Sequence, residues 1–302
     1  MATVIDGTAV AASLRADLTG PIEVLADQGI TPGLATVLMS TDPASETYVR
    51  MKQRACDEVG IDGIHVEVSP DDSAAVLLDT IDELNADENV DGILVQMPVP
   101  EHVDTDPVLE RVDPTKDVDG FHPENVGRLV AGNPRFLPCT PHGVLRLLAE
   151  AGVDPAGKDV TIVGRSMIVG KPLANMLIQK AAGGNATVTV CHSRTRDLAA
   201  HTTGADIVIA AAGVPELIDG SMVDAGATVI DVGVNRVDAD TEKGYKLVGD
   251  VEFESVERKA AHLTPVPGGV GPMTIAMLLY NTVKAAAAAR RDLEVDLPTI
   301  MS

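Results

Sequence analysis

The sequence predicts an α/β protein of two domains, each built on a parallel β-sheet. Its 302 residues are about twice the usual length of one domain, and hydrophobic residues make up 45% of the chain, enough for two buried cores. Helical stretches alternate with short apolar runs, which is the pattern of parallel strands covered by helices. The expected domains are residues 1–137 and 138–272, with a final helix over residues 273–289 that returns to the first domain.

The first domain alternates helices and strands. Hydrophobic periodicity predicts helices over residues 9–26, 44–59 and 74–84. Short apolar runs predict strands over residues 34–39, 64–68 and 92–96. Pro98 and Pro100 stop the last strand.

The second domain begins at Pro138 with a helix around residues 145–149. Strands bounded by Gly, Asp or Asn are predicted over residues 159–164, 186–191, 206–210 and 228–232. A glycine-bearing turn and a helix to about residue 181 follow the first of these strands, so the series is Rossmann-like. Residues 290–302 are expected to form a loose tail.

An excess of acidic residues bears on partners and environment. The chain has 45 Asp and Glu against 23 Lys and Arg, a formal net charge of −22, so its field repels nucleic acid phosphates. Aromatic residues are only 2% of the chain, too few for a base-stacking surface. We therefore expect no nucleic acid partner.

The excess of acidic residues also predicts adaptation to a very salty cytoplasm, where roughly 1 M ions shorten the Debye length to about 3 Å. An ordinary acidic protein is the alternative.

Cysteine usage and hydropathy indicate a cytoplasmic protein. Cys56, Cys139 and Cys191 are odd in number, far apart and outside any CxxC pair, which argues against a disulfide framework or a thiolate metal site. The seven histidines show no metal-ligand spacing, so we expect no metal. The N-terminus lacks a basic segment followed by an apolar core, and no apolar run reaches the roughly 18 residues of a membrane helix, so we expect no membrane association.

A glycine-bearing segment, VGRSMIVGKP at residues 163–172, lies between a predicted strand and a predicted helix. Backbone N–H groups and the helix dipole can bind a pyrophosphate at such a turn. The segment departs from G-x-G-x-x-G, because Ser166 and Val169 stand where the second and third glycines are expected, and Gly170 follows. A tight turn without a ligand is the alternative.

The next strand predicts which dinucleotide binds. NAD sites place an Asp or Glu at the end of this strand, whereas a 2′-phosphate requires cations and hydroxyls. Here the strand ends in CHSRT, with Ser193 and Arg194 in place of a carboxylate, and Arg165 on the preceding turn could add a second cation. These residues favour NADP over NAD; a solvated polar loop is the alternative.

Tyr48 and Lys52 are four residues apart in a predicted helix, so both side chains lie on one face. A lysine beside a phenol can perform acid–base chemistry, although an ordinary exposed pair is the alternative. Short-chain dehydrogenases use a similar YxxxK pair, but theirs follows the nucleotide-binding turn in the same domain. Here the pair precedes that turn by over a hundred residues, so we expect it to face the cofactor across a domain cleft.

Two further polar sites stand out in the first domain. Gln96 ends a buried strand just before Pro98, where side chains of α/β sheets reach the ligand crevice. The acidic residues Asp117 and Asp119 lie in a connection between the domains, and a solvated charge run is the alternative interpretation for them.

The chain resembles the bifunctional methylenetetrahydrofolate dehydrogenase/methenyltetrahydrofolate cyclohydrolase family from about residue 9 to residue 283. The motifs that carry the resemblance are SETYVRMK at 45–52, DGILVQMPVP at 91–100, KDVDGFHPENVGRL at 116–129, PCTPHG at 138–143, VGRSMIVGKP at 163–172, CHSRT at 191–195, DVGVN at 231–235, GDV at 249–251 and TPVPGGVGPMT at 264–274. Together they are highly specific, although none is decisive alone.

The resemblance implies roles for individual residues. Lys52 would be the catalytic lysine, oriented by Gln96, with Tyr48 against the aminobenzoate ring of the substrate and Asp119 on the pterin. The implied NADP contacts are Gly164, Arg165, Ser166, Ser193 and Val234. Residues 265–271, including Pro265, Gly268 and Gly269, would line the substrate site near the pterin.

The resemblance also implies the reactions. The enzyme would oxidise 5,10-methylenetetrahydrofolate with NADP and hydrolyse the product to 10-formyltetrahydrofolate, as a homodimer serving one-carbon metabolism and purine biosynthesis. One alternative is another NADP oxidoreductase with a separate substrate domain, such as a shikimate dehydrogenase-like protein. A second is a catalytically silent nucleotide-binding regulator. Neither requires Lys52, Gln96 and Asp119 together.

Overall fold

A computed structural model describes residues 1–241, 244–289 and 295–298. The chain forms two compact units. The three-stranded unit comprises residues 12–139 and 275–298, and the six-stranded unit includes residues 1–11 and 140–274. Apart from residues 295–298, the expected loose tail over 290–302 lies outside the described residues.

Helices and strands alternate along most of the chain. The first elements are β1 (Thr3–Val4), α1 (Gly7–Asp17), α2 (Thr19–Ala26), β2 (Gly33–Leu38), α3 (Pro43–Val59), β3 (Asp62–Glu67), α4 (Ala74–Ala86), β4 (Gly92–Val95), α5 (Thr105–Arg111) and α6 (Pro123–Val130). They are followed by α7 (Cys139–Glu150), β5 (Asp159–Val163), α8 (Gly170–Leu177), β6 (Thr187–Cys191), α9 (Leu198–Thr202), β7 (Ile207–Ala210), β8 (Thr228–Asp231), β9 (Asn235–Asp238), β10 (Tyr245–Val248), α10 (Phe253–Glu257), β11 (His262–Leu263) and α11 (Val270–Ala289).

The three-stranded unit is built on a parallel sheet in the order β3-β2-β4. Every residue of the central strand β2 is buried, as expected for a parallel strand with both faces covered. Val37 of β2 packs in one core with Ile93 of β4 and with Leu77 and Ile81 of α4. The last helix contributes its residues from Ile275 onward to this unit.

The six-stranded unit is a parallel sheet in the order β1-β11-β8-β7-β5-β6. Its core includes Val163 of β5, Val208 of β7, Val229 of β8 and Leu263 of β11. Strand β6 lies on one side of β5 and β7 on the other, so the strand order reverses at β5. In such sheets the ligand crevice lies at the carboxyl ends of the strands where the order reverses.

The first residues differ from the expected domain boundary, because residues 1–11 belong to the six-stranded unit instead of the domain predicted over residues 1–137. Thr3 and Val4 pair with His262 and Leu263 at the edge of the six-stranded sheet. Two residues are too few to show a strand period, so the sequence pattern contains no signal for this pairing.

Two predicted helices have different bounds in the structure. The helix expected over residues 9–26 is split at Leu18 into α1 and α2, where Pro21 has no amide hydrogen to donate to the carbonyl of Asp17. The helix expected to about residue 181 ends at Leu177, because the chain folds back near Gly184, whose missing Cβ leaves room for the Gln179 carbonyl.

A short antiparallel pair of strands, β9 and β10, was not expected from the sequence. It pairs Asn235 with Val248 and Asp238 with Tyr245. No residue of either strand is buried, so the pair lacks the hydrophobic alternation that identifies a strand in sequence. The Arg236 guanidinium lies 3.9 Å from the Tyr245 ring centroid and bridges the two strands.

The ion pairs of the protein lie at its surface. In the described part of the chain, the ion pairs involve side chains that are 22–83% exposed, and exposed pairs contribute little to stability. None of the described helices is long and apolar enough to span a membrane.

The net charge predicts that salt stabilises the fold. With a formal net charge of −22, raising the salt from dilute buffer to about 1 M should increase the melting temperature, because screening removes self-repulsion. NaCl and KCl should act alike if screening is the cause. A melting temperature independent of salt would contradict the halophilic interpretation, but the description of the fold would still stand.

Candidate functional site

Lys52 lies on the buried face of α3. The helix begins after Asp42, whose carboxylate accepts a hydrogen bond from the Ser45 amide at 3.0 Å, and ends at Gly60 in a left-handed conformation. Lys52 is only 3% exposed. Its Nζ donates to Gln96 Oε1 at 2.9 Å and lies 4.6 Å from the Tyr48 ring centroid. The predicted one-face arrangement of Tyr48 and Lys52 is therefore present.

Gln96 is held at the carboxyl end of β4. Its backbone amide donates to the Val37 carbonyl at 2.8 Å, which continues the sheet by one residue. Its side-chain Nε2 donates to the Met97 carbonyl at 2.8 Å. With the nitrogen engaged in this way, the oxygen Oε1 faces Lys52 and fixes the direction of the ammonium group.

Burial changes the acid–base properties of Lys52. Desolvation lowers the pKa of Lys52 to about 8, and Asp119 acts in the opposite direction by favouring the ammonium form. At neutral pH a lysine with that pKa is neutral in about a tenth of the molecules, far more than an exposed lysine. Lys52 can therefore both accept and donate a proton near physiological pH.

Asp119 faces Lys52 together with Cys139. Burial raises the pKa of Asp119, and the Lys52 ammonium opposes that increase. Asp119 and the Cys139 thiol are hydrogen-bonded, and burial raises the pKa of the thiol well above its ordinary value. Sequence reasoning treated Cys139 only as an unpaired cysteine. Its position in the PCTPHG motif was the available signal.

Asp117, two residues before Asp119, has a different role. Its carboxylate accepts hydrogen bonds from the amides of Phe121 and His122 and from Asn125 Nδ2, at 3.2, 2.8 and 2.8 Å. Burial raises its pKa to about 6. These bonds shape the turn into α6, so Asp117 is a structural residue of the three-stranded unit and Asp119 is the one aimed at Lys52.

The glycine-bearing turn after β5 is tightly packed at the strand-order reversal. Gly164 has φ +143°, and a Cβ there would overlap the Ala211 carbonyl that follows β7. A Cβ at Gly170 would overlap the Gly164 carbonyl. The Val169 amide donates to Ser166 Oγ at 3.1 Å. This close strand–turn–helix packing is the kind that admits a pyrophosphate against backbone amides.

The end of β6 lies beside this turn, since the Gly164 amide donates to the Cys191 carbonyl at 2.9 Å. The following loop is ordered by His192, whose amide donates to Thr195 Oγ1 at 2.8 Å and whose Nδ1 accepts from the Arg194 amide at 3.1 Å. Ser193 and Arg194 are exposed, as are Arg165 and Ser166. The sheet edge thus presents cations and hydroxyls, which fit a 2′-phosphate.

Two aspartates that the sequence analysis did not single out shape the neighbouring loops. Asp250 accepts hydrogen bonds from the amides of residues 212–214 and from Asn235 Nδ2 at 2.6–3.0 Å. Asp231 accepts from the amides of residues 233, 250 and 251, and burial raises its pKa to about 7. Both lie in motifs that carry the resemblance, DVGVN and GDV. They hold the segment from which Val234, 59% exposed, projects.

Pro265, Gly268 and Gly269 lie in the loop between β11 and α11 and belong to the six-stranded unit. The Thr8 amide donates to the Gly268 carbonyl at 3.0 Å, and a Cβ at Gly7 would overlap the Gly269 carbonyl. The loop is therefore packed against the N-terminal segment. Lys52, Gln96, Tyr48 and Asp119 belong to the other unit.

Metal ligands are not grouped in the part of the chain that the structure describes: no three His, Cys, Asp or Glu side chains there could hold an ion together. The three cysteines are free, buried thiols.

Comparison with known proteins assigns both halves of the chain. Residues 5–119 match the model of the tetrahydrofolate dehydrogenase/cyclohydrolase catalytic domain, and residues 138–290 match that of the tetrahydrofolate dehydrogenase/cyclohydrolase NAD(P)-binding domain. Over 298 residues, 99% of this chain and 100% of the relative, the chain is 67% identical to "Bifunctional protein FolD 1" of Haloarcula marismortui.

Solved structures support the same family assignment. The bifunctional FolD methylenetetrahydrofolate dehydrogenase/cyclohydrolase of Campylobacter jejuni is 47% identical with a TM-score of 0.90, covering 97% of this chain and 100% of that one. The Trypanosoma brucei FolD, complexed with NADP and an inhibitor, is 40% identical with a TM-score of 0.92, covering 96% and 99%. The chain therefore belongs to the tetrahydrofolate dehydrogenase/cyclohydrolase family.

Proposed function

We propose that Lys52, oriented by Gln96, is the proton-transfer group of a bifunctional enzyme. The chain is a methylenetetrahydrofolate dehydrogenase that uses NADP and a methenyltetrahydrofolate cyclohydrolase, as are its relatives over nearly their whole length. The observation that carries the proposed role is a nearly fully buried lysine whose Nζ is bonded to Gln96 Oε1 at 2.9 Å. This family membership excludes the shikimate dehydrogenase-like alternative and the silent regulator.

The first reaction removes a hydride from the one-carbon bridge of 5,10-methylenetetrahydrofolate. Bound NADP supplies the hydride acceptor. The substrate nitrogens stabilise the methenyl cation that forms, so the protein's main contribution is alignment. We assign Arg165, Ser166, Ser193 and Arg194, together with Gly164 and Val234, to cofactor binding, and Tyr48 to the aminobenzoate ring.

The second reaction adds water to the methenyl carbon and opens the ring to 10-formyltetrahydrofolate. Neutral Lys52 accepts a proton from the attacking water, and its ammonium then gives that proton to N5 as the bond between N5 and the carbon breaks. The regenerated amine takes the proton of the new hydroxyl as the formyl carbonyl forms, and this proton is released to solvent. Asp119 binds the pterin in this proposal, and Pro265, Gly268 and Gly269 line the site near it.

This assignment predicts a pH dependence. Because neutral Lys52 is the base and its pKa is lowered to about 8, kcat/KM for methenyl hydrolysis should rise with pH and level off above about 8. The measurement is loss of methenyl absorbance across the pH range, after subtraction of the uncatalysed rate. A midpoint near 10, the value of an exposed lysine, would contradict the assignment.

Cofactor selectivity provides another prediction. Arg194→Asp should lower the preference for NADP over NAD by about 10-fold or more, because a charge-assisted hydrogen bond contributes about 1.5–3 kcal/mol. The ratio of the two kcat/KM values measures this. Arg196→Asp, the same charge change two residues further along the exposed loop, is the matched control and should alter the ratio much less. Equal use of both cofactors by the parent enzyme would refute this interpretation of the loop.

A coupled assay tests the function as a whole. Given 5,10-methylenetetrahydrofolate and NADP, the enzyme at molar salt should form NADPH and 10-formyltetrahydrofolate. If NADPH forms but 10-formyltetrahydrofolate does not exceed the uncatalysed level, the enzyme has dehydrogenase activity and no cyclohydrolase activity.

The assembly and location of the enzyme are further parts of the proposal. The family resemblance supports a homodimer, which light scattering at molar salt should detect as twice 31.4 kDa. Free thiols at all three cysteines are compatible with a reducing cytoplasm. A supply of 10-formyltetrahydrofolate for purine biosynthesis follows from the product. The halophile relatives support the salt adaptation.

A further inference from the structure

Asn281 on helix α11 is a buried polar side chain that the mechanism above does not use. It is 1% exposed. Its Nδ2 donates to the Val118 carbonyl at 2.7 Å and to the Leu137 carbonyl at 2.9 Å, and lies 3.6 Å from Cys139 Sγ. A single amide group therefore joins two chain segments that are far apart in sequence, and all of these residues belong to the three-stranded unit.

The two segments carry groups that face Lys52. The Val118 carbonyl belongs to the peptide bond that leads into Asp119, and the Leu137 carbonyl precedes Pro138 and Cys139. The Cys139 thiol also contacts the Val118 carbonyl at 3.4 Å. Since Asp119 and Cys139 are hydrogen-bonded to each other, the position of Asp119 depends on both segments that Asn281 holds.

We propose that Asn281 is a positioning residue for methenyl hydrolysis, because it sets the positions of Asp119 and Cys139 relative to Lys52. The inference rests on the proposed function of Lys52. The competing explanation is that the amide only satisfies two buried carbonyls. In that case its loss lowers stability and leaves the acid–base behaviour of Lys52 unchanged.

The surroundings of Lys52 determine which measurement separates the two explanations. Tyr48 and Cys56 face it from α3, Gln96 from the end of β4, and Asp119 and Cys139 from the segments that Asn281 holds. Among these groups, Asp119 has the largest electrostatic effect in favour of the ammonium form of Lys52. If Asp119 is less firmly held, the ammonium form of Lys52 loses stabilisation, and the pH midpoint of hydrolysis should move to lower pH.

The test compares Asn281→Ser and Asn281→Leu with a matched control, Thr282→Val. Thr282 is the next residue of α11, is also fully buried, and its hydroxyl donates to the Leu278 carbonyl inside the helix at 2.9 Å. All variants are assayed at molar salt for methenyl hydrolysis against pH. Their melting temperatures are measured in the same buffer.

Both Asn281 variants should lower kcat about 10-fold or more, because the acid–base groups are misaligned, and KM should rise as well, because Asp119 is also the residue assigned to the pterin. Their kcat/KM midpoint should fall by about half a pH unit. Thr282→Val should lower the melting temperature and keep the parent midpoint. If Asn281→Leu does not fold, Asn281→Ser decides between the two explanations, because serine is smaller and keeps one hydrogen-bond donor.

Asn281 variants that keep the parent kcat and midpoint, whatever their melting temperatures, overturn the inference. So does a Thr282→Val variant that shifts the midpoint equally, since any disturbance of α11 would then suffice. A parent enzyme that fails to hydrolyse the methenyl compound overturns the proposed function itself, and the inference with it.

Discussion

Replacing Lys52 with methionine should reduce cyclohydrolase activity by about 10²–10⁴-fold, the usual contribution of general acid–base catalysis. Methionine has a similar length but can neither accept a proton from water nor deliver one to N5. Hydride transfer needs no such proton, so dehydrogenase activity should fall less, through weaker positioning alone. Methenyltetrahydrofolate should then accumulate when Lys52→Met is given 5,10-methylenetetrahydrofolate and NADP.

The measurement follows methenyl hydrolysis by absorbance beside NADPH formation in the same preparation. Lys284→Met is the matched control, because Lys284 is another partly buried lysine of the three-stranded unit and donates to the Arg135 carbonyl at 2.7 Å. It should retain both activities. Hydrolysis at the parent rate in Lys52→Met would remove Lys52 from the mechanism. An equal loss of both activities in a folded variant would show that Lys52 mainly positions the substrate.

Lys52 and its neighbours show how much of the site could be predicted from sequence. The four-residue spacing of Tyr48 and Lys52 places both on one helix face by geometry alone. Gln96 was expected in the crevice because it follows a buried strand that a proline stops. The contact of Lys52 with Gln96 requires the packing of α3 on the sheet, against β2 and β3, which no local pattern encodes. The lowered pKa of Lys52 depends on burial by residues distant in sequence.

In the sheet of the six-stranded unit, too, local sequence patterns predicted some features and missed others. Its central strands were predicted within one or two residues because each is a short apolar run between turn residues. The edge strand β1 and its neighbour β11 have two residues each and were found only through their pairing. Asp231 and Asp250 are ordinary acidic residues in sequence. Only the folded chain shows that each accepts hydrogen bonds from several backbone amides.

Gly170 is the position where a single added methyl group should most clearly separate the two activities. A Cβ there would overlap the Gly164 carbonyl and lie 2.8 Å from the Arg165 Cα. Both are backbone atoms, so the turn itself must shift instead of a flexible side chain. Because the turn carries the amides assigned to the pyrophosphate, its displacement by about 1 Å should reduce kcat/KM for NADP by about 10²-fold.

Cyclohydrolase activity of Gly170→Ala should stay near the parent value, because hydrolysis needs no cofactor and its acid–base groups lie in the three-stranded unit. Gly127→Ala is the matched control: an added Cβ at this glycine of α6 meets no atom within 4 Å, so both activities should be kept. NADP kinetics and methenyl hydrolysis are measured on both variants at molar salt. A folded Gly170→Ala enzyme with the parent's kcat/KM for NADP would show that this turn does not hold the pyrophosphate.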